Sequence, residues 1–175
     1  RCLQINKELA MAIDTLHRAA LFVVLVLAQV LIFNHTHLLG CATVLLYVYF
    51  VITIPRNYPK WAMLLWSFVL GLVVDMFSNT PGMATASLTF VGFVQPYLLE
   101  SLITREAPEN MKSSISALGF TKFLTLTSIL VFIHCLLFFT IEAFSFFNWQ
   151  QWLLNIGGST VFTVLVLMAL ESVRK

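Results

Sequence analysis

The sequence predicts an all-α integral membrane protein with six transmembrane helices. Three observations carry that prediction. Of 175 residues, 59% are hydrophobic and only 10% are charged, and ten lysines and arginines cluster at alternate ends of long apolar runs. A soluble domain carries about a quarter charged residues, and a helix needs about 20 apolar residues to cross a bilayer.

The spans read in order as Ala19–His35, Leu38–Ile54, Trp61–Phe77, Met83–Ile103, Phe120–Phe144 and Trp149–Val173. The first two are separated only by the turn "NHTHLLG", and short hairpin loops are normal between packed helices. Trp61 opens span three, and Trp149 and Trp152 open span six, where indole rings favour the headgroup level. Pro96 lies inside span four and is expected to kink it. The stretch "EAPENMKSSISALGF" after span four places Met111, Ile115 and Leu118 on one helical face, so it reads either as a helix on the membrane surface or as an ordinary polar loop.

The cations give a direction. Arg1, Lys7 and Arg18 precede span one, Arg56 and Lys60 occupy the "PRNYPK" loop, Arg105, Lys112 and Lys122 follow span four, and Arg174 and Lys175 close the chain. The intervening turns carry no lysine or arginine. The positive-inside rule therefore predicts a multi-pass membrane protein with both termini in the cytoplasm. In domain terms, residues 1–18 read as a cytoplasmic segment, 19–173 as one six-helix domain and 174–175 as a cytoplasmic end. Since the sequence opens on arginine, residues 1–10 also read as an extension ahead of Met11.

Chemistry-bearing patterns are sparse. Cys2, Cys41 and Cys135 lack a metal or disulfide spacing. His35 and His37, two apart in a turn, have no third ligand nearby. Walker, H-E-x-x-H and G-x-S-x-G motifs are absent, so the expectation is a noncatalytic protein without cofactor or metal.

Polar residues inside spans carry more information. Ser67, Gly71, Asp75 and Ser78 repeat at i, i+4, i+8, i+11 along span three. Small residues let helices approach, and polar ones bond across the contact. A charged aspartate at the bilayer centre costs about 2.5–3.5 kcal/mol on insertion scales, so Asp75 should face protein. Thr85, Thr89, Gly92 and Pro96 form a comparable stripe on span four, and the tight "SNTPG" turn makes the two spans antiparallel neighbours. Asp75 then either bonds backbone amides at the turn and the start of span four, or serves a ligand, proton or partner protein. His134, mid-span beside Cys135, reads as a neutral side chain bonded across helices or as a proton relay. Asn155, Ser159 and Thr163 repeat along span six, with Gly157 and Gly158 between, as a packing face. Gln29, His134, Asn155 and Ser159 are candidates for an intramembrane polar network. Glu100 and Glu171 fall near the level of Arg105 and Arg174, which suggests interfacial pairing.

The stretch Gly71-Leu-Val-Val-Asp75 followed by Pro81-Gly82 resembles the central motif of the MreD family of rod shape-determining membrane proteins: Gly-x-x-x-Asp at a span's end, a short polar turn, and a glycine opening the next span. Gln29 in "LAQ", the "PRN" loop and the arginine-terminated last span also resemble that family, over about Met11 to Lys175. "FSNTPGM" and "EAFSFFNW" look like its Bacteroides-type branch. One departure is "GCATVLL", where many members open span two with proline. The resemblance implies a six-helix fold similar to the substrate-binding subunit of energy-coupling-factor transporters. It also implies a noncatalytic subunit of the cell-elongation machinery supporting peptidoglycan synthesis and rod shape. The implied partners are MreC, a RodA-type glycan polymerase with a class B transpeptidase, and, through the complex, the MreB cytoskeleton. Gly71, Asp75, Pro81, Gly82, Thr85 and Thr89 would shape a partner interface or pocket. The alternative is a small-molecule or lipid-binding transporter subunit of the vitamin-uptake type.

Overall fold

The computed structural model describes residues 16, 18–29, 45–56, 58–103, 118–143 and 149–173. The "NHTH" turn, the "SFFN" turn, residues 104–117 of the fourth link, residues 1–10, Cys2, Cys41 and the last two residues all lie outside the described residues.

Six helices are present among the described residues: α1 (Arg18–Ala28), α2 (Val48–Ile52), α3 (Lys60–Ser78), α4 (Met83–Leu102), α5 (Phe120–Ala143) and α6 (Trp149–Val173). No strand occurs among these residues. Three of them, α3, α5 and α6, are long and apolar enough to cross a membrane. Helix α4 is as long as α3 but gives part of its surface to Thr85, Ser87, Thr89, Gln95 and Glu100, which lowers its apolar character.

Packing follows chain order. Helix α4 lies against α3 on one side and α5 on the other, α6 packs on α5, and α2 touches α4 and α5. The core runs through Leu70, Val74, Ala84, Leu88, Val91, Leu126, Leu130, Val131, Ile156 and Leu167, all nearly inaccessible. Outside it, Phe68, Leu72, Phe90, Phe93, Phe132, Leu154 and Leu165 are exposed. A folded chain that leaves this many large apolar side chains outside is built for an apolar solvent.

The second span departs from expectation. The sequence predicts a helix over Leu38–Ile54; among described residues only Val48–Ile52 is helical, and Leu45–Tyr47 precede it in a turn. Every residue from Leu45 to Ile52 is buried. Helix α2 is therefore a short plug wrapped by other helices. The freed amides are met by side chains: Leu46 N–H donates to Gln29 Oε1 at 2.9 Å, and Leu45 N–H donates to Thr163 Oγ1 at 3.3 Å. Irregular backbone at membrane depth persists only where protein satisfies it in this way. Downstream, Thr53 Oγ1 donates to the Tyr49 and Phe50 carbonyls, and Pro55 follows, a residue that disfavours helix before it.

Candidate functional site

The α3–α4 hairpin is the most distinctive arrangement. Asn79 takes the left-handed conformation (φ 54°) and ends α3, and Thr80 N–H returns to the Asp75 carbonyl at 3.2 Å, a Schellman-type closure. Two residues further on, Gly82 also has positive φ (78°) and launches α4. Between them Pro81 is exposed.

Helix α4 begins without a cap of its own, because Gly82 has no side chain to offer. Asp75 supplies it from α3. Its Oδ1 accepts from Ala84 N–H at 2.9 Å and from Thr80 Oγ1 at 2.7 Å. Its Oδ2 accepts from Thr85 N–H at 2.8 Å and Thr85 Oγ1 at 2.5 Å. Two amides and two hydroxyls thus converge on one carboxylate, which sits where the helix dipole favours negative charge. At 8% exposure Asp75 faces protein, not the surroundings. Of the two roles the sequence leaves open, bonding the start of span four is the one the geometry displays.

Gly71 explains how the carboxylate comes this close. A Cβ on Gly71 would lie 2.5 Å from the Thr85 Cα and 2.9 Å from both the Ala84 carbonyl oxygen and the Thr85 nitrogen. One turn or so deeper the roles reverse: a Cβ on Gly92 would meet Ser67 Oγ at 2.4 Å. The small-residue stripes of α3 and α4 are the two halves of one contact. Thr89 lies outside the carboxylate cluster; its hydroxyl donates to the Thr85 carbonyl at 2.6 Å. Thr85 and Thr89 both line a surface groove of about 1220 Å³ between the two helices. Its walls are Leu64, Phe68, Leu72, Met76, Phe90 and Phe93, and its turn end is Asp75, Asn79, Thr80, Pro81 and Gly82.

A second cluster of polar contacts converges on residues 45–49. Besides the Gln29 and Thr163 bonds, the Tyr47 hydroxyl and His134 Nε2 are hydrogen-bonded at 2.9 Å, ring edge to ring face. The Tyr49 hydroxyl donates to Glu171. Beyond that segment, Gln95 Nε2 donates to the Ile54 carbonyl at 3.3 Å. Of the expected network of Gln29, His134, Asn155 and Ser159, two members meet on residues 46 and 47. Gln29 and His134 reach the same buried segment, Ser159 is buried on α6, and Asn155 accepts from the neighbouring Gln151 at 3.3 Å. Glu171 is buried and accepts from the Tyr49 hydroxyl, while its expected partner Arg174 lies outside the described residues. Of the expected α6 packing face, Ser159 and Thr163 are buried together with Ile156 and Leu167, whereas Gly157 and Gly158 between them are exposed and a Cβ on Gly157 would meet nothing within 4 Å. Tyr47, Tyr49 and Gln95 were not singled out by sequence; a hydroxyl or amide embedded in an apolar run is the one available signal.

Among the described residues no group of three or more His, Cys, Asp or Glu could hold a metal. The fold and these sites define an all-helical, multi-pass membrane protein. No protein-family model, curated protein or solved structure matches the chain.

Proposed function

We propose that this chain is a noncatalytic membrane subunit of the MreD type, which docks the single transmembrane helix of an MreC-like partner and supports peptidoglycan synthesis and rod shape in the bacterial inner membrane. On this reading both termini are cytoplasmic, and the RodA-type polymerase, its class B transpeptidase and the MreB cytoskeleton join through the complex. The observation that carries it is the α3–α4 groove. It is open along its length, apolar along both walls and polar at the turn, the form that suits one face of a helix. Asp75 and Gly71 support it from behind by holding α3 and α4 in register. The carboxylate needs no ligand to be satisfied, which favours a positioning role over catalysis. Helix docking in lipid draws on close packing and interhelical hydrogen bonds, and the groove offers both kinds of surface.

The test is purification from native membranes in mild detergent, with mass spectrometry of whatever co-elutes. A stoichiometric single-span protein supports the scaffold. A bound vitamin-sized molecule or an ATPase module would replace it with the transporter reading.

A further inference from the structure

A second site lies at the opposite end of α3, away from the Asp75 turn. Arg18 at the start of α1 places its guanidinium 4.3 Å from the centre of the Tyr58 ring. Lys60 at the start of α3 places its ammonium 4.7 Å from the centre of the Tyr97 ring. Arg56, Tyr58 and Lys60 line one small recess with Glu100. Among the described residues, three elements distant in sequence thus bring three cations and one carboxylate together. Cation–π contact fixes where a charge sits without neutralising it.

Two further features make this more than a solvated charge run. Arg18 Nη1 is shielded from solvent and has no hydrogen-bond partner among the described residues. A guanidinium carries five donors in a fixed fork suited to phosphate oxygens, and a shielded, unmet donor is costly. Helix α3 also starts at Pro59 and Lys60 with no side-chain cap, so its first amides and the positive end of its dipole face the same level. Exposed Trp61 stands beside them, a residue type that favours the headgroup layer.

We propose that Arg18, Arg56 and Lys60 form a binding site for the phosphate of an anionic glycerophospholipid, in the leaflet at the Pro55–Lys60 end of the bundle. Basic recesses between transmembrane helices bind such headgroups on the cytoplasmic side, which is the side the distribution of cations assigns to this end. The exposed Lys60 ammonium meets phosphate oxygens beside the Arg18 and Arg56 guanidinium groups, the α3 amides add hydrogen bonds, and the acyl chains lie along the apolar outer surface of α3. The site is independent of the groove at the other end and of any protein partner.

The full chain is reconstituted in vesicles of mixed phosphatidylglycerol and phosphatidylcholine, extracted in mild detergent, and the retained lipids are counted by native mass spectrometry. Phosphatidylglycerol should be retained in clear preference. Arg18→Gln, Arg56→Gln and Lys60→Gln should each lower that preference about fivefold, the weight of one cation near an anionic surface. Lys122→Gln removes a cation on exposed α5 surface outside the cluster and should leave it unchanged. Lys60 is exposed, so its substitution keeps the test valid if Arg18→Gln fails to fold. Equal retention of both lipids by the unaltered chain overturns the proposal. An equal loss in Lys122→Gln also overturns it, by showing a general surface field. Displacement of the retained lipid by inorganic phosphate would assign the recess to a soluble anion and overturn it too.

Discussion

At the scale of single residues, Asp75 and Gly71 depend on each other. The carboxylate reaches the amides of Ala84 and Thr85 only because nothing on Gly71 separates the backbones. Asp75→Asn keeps the shape but turns an N–H toward donors, leaving at least one of them unmet. It should lower stability by about 1–3 kcal/mol, read as a shifted unfolding midpoint in detergent. An unchanged midpoint would mean the cap carries no weight. Two glycines, Gly71 and Gly157, give a sharper contrast. Gly71→Ala must push α4 backbone aside and should cost about 1–3 kcal/mol. Gly157→Ala meets open space on a helix and should be neutral, or stabilising by up to about 1 kcal/mol. If both alanines behaved alike, the close approach of α3 and α4 would be refuted.

At the scale of elements, legibility depended on how local each element's causes are. The α3, α5 and α6 boundaries are readable within a residue or so, because apolar length and interfacial tryptophans fix them nearby: Trp61–Phe77 is expected and Lys60–Ser78 found. The Gly-x-x-x-Asp motif and its turn pointed correctly to a tight hairpin, and Thr85 to the level of the carboxylate. In the α2 region the sequence predicts helix where Leu45–Tyr47 are not helical, and the reason is physical. An apolar run buried on every side carries no periodicity, so helix and irregular backbone look alike. What decides between them is acceptors far along the chain, Gln29 from 17 residues away and Thr163 from 118. Thr163→Val would leave the Leu45 amide buried and unpaired at little change in volume. It should destabilise the fold by about 1–3 kcal/mol, whereas Thr125→Val, exposed on α5 and bonded only to its own helix, should have little effect. The Tyr47–His134 contact offers an independent check. A double-mutant cycle with Tyr47→Phe and His134→Leu should return a coupling of about 0.6 kcal/mol, the average for hydrogen bonds inside membrane proteins; additive effects would remove that contact from the account of how α2 is held.

At the scale of the whole molecule, the two ends of the bundle differ in kind. The Asn79–Gly82 end has a capped, neutral-looking turn whose one acid is consumed internally, with an apolar trough beside it. The other end holds cations pinned on aromatic rings. Along α3 and α4 between these ends the groove stays open to a neighbour. The docking prediction therefore belongs to the groove as a surface, not to any buried residue. Ala86 lines the groove and is exposed, so Ala86→Trp fills the trough without entering the core. Leu153→Trp makes a comparable change on the exposed face of α6. If a transmembrane helix docks between α3 and α4, Ala86→Trp should reduce recovery of the co-purifying partner about tenfold, equivalent to about 1.4 kcal/mol, with the unfolding midpoint unchanged. Leu153→Trp should leave both as they are. Full recovery with Ala86→Trp would put the partner on another face, and the internal bonds of Asp75 would then serve the hairpin alone.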